Sequence, residues 1–392
     1  MAAGKKNVRF YAIGAIAIVV IIAIIVGAQI GKTKIGTPSE IEEAANKEDT
    51  VQQSTAKPAE SVAAATAGTA AVTGTEAAPA GTVAAVGSTA EDGLIPIRTA
   101  TRKTCTLAPL LVADKQGFLK EEGLKLVFTG ELGANQLLPT ILAGQNDLGD
   151  AHPNYLAVAV AGGAQVKGVA RSIIEPAPSE DPALRHMRWY VNPDSVVNKW
   201  GDLKDYNTGK TIKISGTKNS CSEFLPNKIS DVDGVKRSRF EFVTFDKDLQ
   251  AIQAAKQGVL DIAGIHPTFY KSAEDAGLKQ IADSSETGLG EAAGIYLYYF
   301  TNEFIEKNPD TVQRFVRAIT KAQQWANANR EQTAKWTEEF IGVPVTGNHY
   351  FSNTTKINED HIRPWVEDLE NTGVIPKGQV KISDIITHQF EQ

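Results

Sequence analysis

The apolar residues of this 392-residue chain first gather in one run near its start. Lys5, Lys6 and Arg9 precede Phe10 to Ala28, nineteen uncharged residues rich in Ile, Val and Ala. The apolar cores of cleaved signal peptides span ~7 to 15 residues, so this length favours an uncleaved membrane anchor, although Val26-Gly27-Ala28 fits a cleavage site. The basic residues predict a cytoplasmic N-terminus and place everything after the run outside the membrane.

The next segment, from Gly36 to about Gly93, contains hardly any large apolar side chains. It consists mainly of Ala, Thr, Gly, Pro, Ser and Glu. Such a composition cannot bury enough apolar surface to offset the entropy that is lost on ordering. We therefore predict a disordered tether that acts as a spacer in front of a folded domain.

Strand-like and helix-like patterns begin to alternate near Ile95. Ile97 to Thr104 alternates as a strand does, Leu107 to Leu119 carries apolar residues at helical spacing, and Lys125 to Phe128 is strand-like again. The second half repeats this order, with a strand at 211–214, a helix at 222–229 and a strand at 240–243. Alternating strands and helices of these lengths predict an α/β domain with mainly parallel sheets.

Two later segments complete the predicted domain. Ile295 to Phe300 is the most strongly β-prone stretch of the chain and predicts a buried strand that returns to the first half. Asn308-Pro309-Asp310 is typical of a helix start with Pro at the first position. The helix that follows has one apolar face, formed by Val312, Phe315, Val316 and Ile319.

A ten-position pattern, G-x-x-D-x-x-x-x-H-P, occurs twice, from Gly144 to Pro153 and from Gly258 to Pro267. In each copy the surrounding residues predict a helix, a glycine stop, a short strand and a loop. The copies start 114 residues apart (258 minus 144), which is too far for a solenoid, so we place one in each of two similar lobes. Loops after strands of open α/β sheets line ligand crevices, so both His-Pro loops are candidates for the wall of a shared cleft. We expect Asp147 and Asp261 to bond backbone groups rather than to act as acids.

Composition and charge exclude several classes of protein. The chain is 42% hydrophobic and 22% charged, an ordinary globular balance, and its net charge of -6 gives no basic footprint for a nucleic-acid partner. The two cysteines, Cys105 and Cys221, form neither a disulfide-dense scaffold nor a paired C-x-x-C metal motif. The sequence also contains no G-x-S-x-G, H-E-x-x-H or P-loop pattern that would support a hydrolase, a zinc protease or a nucleotide-binding enzyme.

Seven short stretches between about Ile95 and Gln392 carry a resemblance to a known family. They are Ala108-Pro109-Leu110, Ala113 to Phe118, Glu122-Gly123-Leu124, Gly144 to Gly149, Asp202-Leu203-Lys204, Gly258 to Asp261 and Asn308-Pro309-Asp310. In their order and spacing they resemble the extracytoplasmic solute-binding proteins of ABC importers, in the branch that includes nitrate, sulfonate, taurine and thiamine-pyrimidine receptors. The departures from the family are the two His-Pro dipeptides, the two cysteines and a longer connection around Ile174 to Arg188.

The resemblance implies a two-lobed α/β domain of the periplasmic-binding-protein-like (type II) fold, with the solute held in a cleft between the lobes. A membrane helix and a disordered linker precede this domain. The predicted organisation is a basic cytoplasmic stub at 1–9, a membrane anchor or signal segment at 10–30, a disordered tether at 31–94 and a solute-binding domain at 95–392, with lobe 1 at about 96–192 and 295–392 and lobe 2 at about 193–294. Solute binding is expected to close the hinge.

Two predicted helix starts are candidates for anion binding, because exposed N–H groups and the helix dipole attract anions without a formal positive charge. They are Gly133-Ala134-Asn135 and Gly216 to Ser220, where family members hold an anionic or polar headgroup; two ordinary capped helices are the alternative. The full set of candidate ligand-binding residues is Thr104, Cys105, Gly133, Ala134, Asn135, His152, Asn154, Tyr155, Thr217, Asn219, Ser220, Cys221, His266 and Tyr296.

We predict that Cys105, Cys221, His152 and His266 face one cleft. In the interpretation that we adopt here, the histidines bond the solute and the cysteines are unbridged wall residues, so no metal and no cofactor are assigned. A second interpretation is a disulfide between the cysteines, which would staple the lobes together and oppose solute exchange. A third is a tetrahedral site of two thiolates and two imidazoles, suited to zinc or iron but without the short paired spacing of most structural sites.

The predicted function is capture of a small polar or anionic solute outside the cell membrane, where the chain is tethered, or secreted if the first segment is cleaved. The solute, which is sulfonate-, nitrate- or taurine-like or a pyrimidine, passes to an ABC permease and its ATPase without a catalytic step. One alternative is an enzyme similar to relatives in pyrimidine synthesis that uses the cleft His and Cys with a metal. Another is an extracellular sensor domain that acts through a partner kinase.

Overall fold

A computed structural model describes residues 93–132, 136–245 and 247–391. The predicted membrane segment, nearly all of the tether and the helix start at Gly133-Ala134-Asn135 lie outside these described residues. Among the described residues, no helix is both long enough and apolar enough to cross a membrane.

Five strands, in a parallel pair and a three-stranded group, make up the first sheet. They are β1 (Ile95–Thr101), β2 (Leu124–Glu131), β3 (Gly149–Ala151), β4 (Val166–Arg171) and β10 (Leu297–Thr301). β1 and β2 are parallel, and β10 lies between β3 and β4 and runs antiparallel to both. The backbone N–H groups of Asp147 and Leu148 donate to the carbonyl oxygen of Arg98 in β1, which joins β1 to the chain entering β3. The order of the sheet is therefore β2-β1-β3-β10-β4.

The second sheet repeats this arrangement. Its strands are β5 (Arg188–Val191), β6 (Ile212–Ser215), β7 (Phe240–Val243), β8 (Ala263–Ile265) and β9 (Lys279–Asp283). β6 and β7 are parallel, and β5 lies antiparallel between β8 and β9. Backbone N–H groups of Asp261 and Ile262 donate to the carbonyl oxygen of Lys213 and join β6 to β8. The order, β7-β6-β8-β5-β9, matches that of the first sheet strand for strand.

Twelve α-helices within the described residues accompany these strands. They are α1 (Ala108–Lys115), α2 (Phe118–Glu121), α3 (Leu137–Leu142), α4 (Pro153–Ala161), α5 (Cys221–Asp233), α6 (Asp248–Lys256), α7 (Tyr270–Asp275), α8 (Asn302–Lys307), α9 (Pro309–Ala328), α10 (Arg330–Ile341), α11 (Glu359–Asn371) and α12 (Ile382–Ile385). Helix α9 begins at Pro309, as predicted, and its predicted apolar face is fully buried.

The two sequence repeats have the same local structure. Gly144 and Gly258 follow α3 and α6 with φ angles of +69° and +70°, in the left-handed region that glycine adopts without strain. The carboxylates of Asp147 and Asp261 then accept hydrogen bonds of 2.9 and 2.8 Å from backbone N–H groups of β1 and β6. The prediction that these aspartates bond backbone groups is confirmed, and each repeat marks the entry to the third strand of its sheet.

The expectation of mainly parallel sheets holds except for one strand in each sheet, which runs antiparallel to its neighbours and comes from the far side of a crossing. The chain leaves the first sheet after β4 and returns with β10, which confirms the predicted return of this segment. β5 is the first strand after the outward crossing and pairs with β8 and β9. Residues 188–191 therefore belong to the second sheet, although the predicted first lobe extends to 192. Alternation of elements along the sequence gives no signal for the direction of a strand that follows a crossing.

Side chains from a helix and a turn beside the second sheet contact helix α11. The ring centroid of Phe224, on α5, lies 3.9 Å from that of Trp365, on α11, and the two rings stack. Lys228 and Arg237, which flank the second sheet, both pair with the carboxylate of Asp368 on α11, each at 2.8 Å. We call these contacts the α5–α11 latch.

Candidate functional site

Both cysteines of the chain and four of its six histidines meet at one place in the cleft. The members of this His/Cys cluster are Cys105, His152, His186, Cys221, His266 and His349. The ring of His186 is central, with its centroid 4.7 Å from that of His349, 5.2 Å from that of His152 and 6.1 Å from that of His266. The four residues that were predicted to share a cleft meet in this cluster, and His186 and His349 join them.

The strand ends and helix starts of both sheets place these side chains. His152 and His266 follow β3 and β8, and the proline after each holds its backbone extended, with ψ angles of 156° and 161°. Cys105 opens a short turn after β1, and Cys221 is the first residue of α5. The two residues that were not predicted lie outside the repeats: His186 lies two residues before β5, and His349 lies between α10 and α11.

His152 is buried among rings of the first lobe. Its Nδ1 lies 2.8 Å from the carbonyl oxygen of Ile295. Its ring stacks on that of Trp365, and the ring of Tyr296 packs edge-on against it. A carbonyl oxygen only accepts hydrogen bonds, so Nδ1 carries the proton, and in the neutral ring the lone pair of Nε2 is left for another partner.

His266 is held by a carboxylate instead. The same oxygen of Asp248 accepts from the backbone N–H of His266 at 2.8 Å and lies 2.9 Å from its Nδ1. Burial lowers the pKa of His266, but the charges of Asp248 and Cys221 outweigh burial and hold that pKa well above its ordinary value. The Nε2 atom of this ring lies 3.8 Å from the sulfur of Cys221.

The two thiols differ in electrostatic environment. Burial raises the pKa of Cys221, but interactions with His152, His186 and His266 outweigh burial and hold that pKa well below its ordinary value, which favours the thiolate. Burial dominates at Cys105 and raises the pKa of its thiol. Cys105 bonds Nε2 of His349 at 3.1 Å, and neither cysteine is bridged. The disulfide interpretation is therefore not supported by this structure.

His186 has the least satisfied ring in the cluster. It is 2% exposed, and neither of its ring nitrogens has a hydrogen-bond partner within the described residues. Burial lowers the pKa of His186 to about 4, so the ring is neutral at physiological pH. Its backbone N–H donates to the carboxylate of Glu175 at 3.0 Å, which fixes the crossing strand beside the cluster. No local motif marks His186 or His349; the scarcity of histidine in the chain is the one signal that could have directed attention to them.

The predicted anion site at the start of α5 is already engaged by its own chain. The backbone N–H of Thr217 donates to the hydroxyl of Ser222 at 2.9 Å, and that of Asn219 donates to the carboxylate of Glu223 at 2.6 Å. The hydroxyl of Ser220 donates to the carbonyl oxygen of Thr217. Ligand contact at this turn stays a prediction, and a ligand there would have to displace these bonds.

The remaining predicted ligand residues have different positions. Asn154 and Asn219 line a cavity of 90 Å³ beside Trp365, next to the cluster. Tyr296 is buried against His152, whereas Tyr155 is half-buried and Thr104 is exposed. Contact between any of these residues and a solute stays a prediction.

Comparison with known proteins identifies the family to which this chain is similar. The profile of the NMT1/THI5-like family matches residues 105–333, more than half of the chain. YtlA of Bacillus subtilis (strain 168), described as a candidate binding protein, is 22% identical over 299 residues, which cover 69% of this chain and 81% of YtlA.

Two solved structures share the fold. The periplasmic aliphatic sulphonate binding protein SsuA of Escherichia coli is 18% identical, with a TM-score of 0.57 over 74% of this chain and 92% of SsuA. The periplasmic nitrate-binding protein NrtA of Synechocystis PCC 6803 is 12% identical, with a TM-score of 0.60 over 76% of this chain and 87% of NrtA. The chain belongs to the NMT1/THI5-like family and has the α/β fold of the periplasmic binding proteins, as the resemblance in its sequence implied.

Proposed function

We propose that this protein is the extracytoplasmic solute-binding component of an ABC importer, and that it captures a small solute between its two sheets and delivers it to a membrane permease. The observation that carries the proposal is the cleft itself. Residues from both sheets and from the crossing between them converge there with their polar atoms directed at one another, and the α5–α11 latch spans the same opening. Ligand-binding clefts of open α/β sheets lie at strand ends of this kind.

The binding step needs no chemical change in the solute. The relatives in this fold are named as binding proteins for sulphonate and nitrate, and capture followed by release accounts for a cleft whose two walls come from separate sheets. A two-lobed receptor of this type works by population shift, because the solute contacts both walls only when they are closed.

The test is stimulation of a transporter. A candidate ABC permease and its ATPase from the same organism are reconstituted in proteoliposomes, and ATP hydrolysis is measured with and without the purified protein. We expect the protein to stimulate hydrolysis several-fold, and a latch variant with Asp368→Ala to do so less efficiently. Absence of any stimulation, with an intact and folded protein, would contradict the importer assignment and favour a sensor.

We further propose that residues 10–28 tether the protein to the membrane. The support is the uninterrupted apolar run of nineteen residues and its basic flank. Intact-mass measurement of protein extracted from membranes is expected to give a mass that includes this segment. A mature N-terminus at Gln29 would instead indicate a cleaved signal and a secreted protein.

A further inference from the structure

We propose that the His/Cys cluster binds a thiophilic transition-metal ion through the sulfur of Cys221 and one ring nitrogen each of His152 and His186. The three candidate ligand atoms lie within 4.8 Å of one another, and all three residues are buried. With Zn–N near ~2.0 Å and Zn–S near ~2.3 Å, ligand atoms around one zinc ion stand roughly 3.5 Å apart, so small side-chain rotations complete the site. This inference goes beyond the proposed function and does not depend on delivery to a permease.

The unsatisfied ring of His186 is the strongest argument. Both ring nitrogens are buried without a hydrogen-bond partner in the described part of the chain, and a buried polar group in that state is destabilising. A neutral imidazole always has one nitrogen with a free lone pair. A metal ion bound to that nitrogen would satisfy its lone pair, and candidate ligand atoms of His152 and Cys221 lie within 4.8 Å of one on His186.

The neighbours of His152 and His266 prepare both rings for the same role. In each, Nδ1 donates to an oxygen behind the ring, the carbonyl of Ile295 or the carboxylate of Asp248, so that Nε2 is the nitrogen available for a metal. Such an oxygen behind a metal-binding imidazole fixes its orientation and raises its basicity. Nε2 of His266 lies 3.8 Å from the sulfur of Cys221, so His266 borders the trio without belonging to it.

The donor set defines the class of ion. One thiolate with two or three imidazoles suits zinc, cobalt or copper, whereas magnesium and calcium require oxygen donors. The ligands come from different parts of the fold: His152 from the first sheet, Cys221 from α5 beside the second, and His186 from the crossing between them. Bound metal would therefore cross-link the two walls of the cleft, and its release would require them to separate.

Cobalt(II) binding to the full-length protein, purified without an affinity tag and treated with a chelator, tests the proposal. We expect one equivalent to bind, with a thiolate-to-cobalt charge-transfer band in the near ultraviolet and the visible bands of tetrahedral cobalt. Zinc should displace the cobalt, and its affinity is then measured by competition with a chromophoric chelator. Binding without a thiolate band, or no binding at micromolar cobalt, would overturn the proposal.

Variants distinguish the two thiols. C221S should lose the charge-transfer band and bind zinc at least about 100-fold more weakly, and H186Q should weaken binding at least about 10-fold, since even partners behind metal ligands contribute 10- to 100-fold. C105S should retain the band, because Cys105 bonds His349 and lies outside the trio. H388Q, at an exposed histidine of the C-terminal segment, is the control for changes in histidine content.

Circular dichroism and thermal melts establish that each variant is folded. If C221S does not fold, C221A replaces it, and zinc protection of the wild-type thiols against alkylation gives a second measure: Cys221 should be protected and identified by peptide mass. Retention of the band in C221S with its loss in C105S would reassign the site to the other thiol and overturn this ligand set.

Discussion

The two copies of the G-x-x-D-x-x-x-x-H-P repeat start alike and end differently. Both aspartates bond the backbone of the adjacent strand, and both histidines are held extended in front of a proline. The first histidine then bonds a neutral carbonyl among buried rings, while the second bonds a carboxylate and keeps 28% of its side chain exposed. The repeat therefore determines the backbone conformation, whereas residues outside the repeat determine the electrostatic surroundings of each histidine.

The largest expected difference in stability between the two copies arises at their aspartates. Asp147 is 4% exposed and also holds the guanidinium of Arg98 with bonds of 2.6 and 2.9 Å, whereas Asp261 adds only the hydroxyl of Tyr206 at 2.9 Å. Breaking a buried ion pair costs about 3–5 kcal/mol, and losing a hydrogen-bond partner about 1–3 kcal/mol. Denaturant unfolding of Asp147→Ala and Asp261→Ala should show the first to be the more destabilising by about 2 kcal/mol. Equal losses would mean that the two copies are energetically equivalent.

Glu175, in the segment that crosses between the sheets, makes the stability of the fold depend on pH. Burial raises the pKa of Glu175 from its ordinary 4.5 to about 7, against the hydrogen bonds of Ser284 and the backbone of His186. An acid with a raised pKa in the folded state stabilises the fold below pH 4.5 and loses this contribution as pH rises to 7. One pKa unit corresponds to 1.36 kcal/mol, so the loss is about 3 kcal/mol.

Glu175→Gln isolates this contribution, because the amide does not ionise. Between pH 4.5 and 7 the free energy of unfolding of the wild type should fall by about 3 kcal/mol relative to that of the variant. Parallel pH profiles of the two proteins would show that Glu175 is ionised throughout and that its pKa is not raised.

The carboxylate behind His266 predicts how this histidine titrates. Asp248→Asn removes that charge, so the pKa of His266 should fall. NMR titration of its imidazole resonances measures the change. The same substitution should cost about 1–2 kcal/mol of stability, since one carboxylate oxygen accepts two hydrogen bonds from His266. An unchanged pKa of His266 would show that Asp248 does not stabilise its charged form.

Among these predictions, substitution in the α5–α11 latch should have the smallest effect on stability. Asp368 is 9% exposed and pairs with Lys228 and Arg237, so Asp368→Ala should cost about 1 kcal/mol. Glu303→Ala breaks a fully exposed pair with Lys307 and should cost less stability than Asp368→Ala, because solvent screens the pair. Thermal melts of the two variants provide the comparison, and a double-mutant cycle with Lys228→Ala tests whether the latch residues interact. No interaction in that cycle would leave the cleft without an electrostatic latch.

The sequence by itself determined much of this protein. Periodicity located the strands around 97, 125, 212 and 240 to within a few residues, and the proline at 309 located the start of α9. The repeat revealed two similar halves, and its aspartates were assigned correctly, because a glycine stop followed by an apolar strand constrains the backbone locally. These features depend on neighbours along the chain, which a sequence displays.

Only the tertiary structure decided how distant residues meet. The antiparallel direction of β5 and β10 depends on where the chain re-enters a sheet after a crossing, and no local pattern encodes that. Likewise His186 and His349 have no motif of their own, yet burial brings both within ring contact of the repeat histidines. The lowered pKa of Cys221 has the same origin, since it arises from three histidines that are far apart in sequence and meet at one thiol.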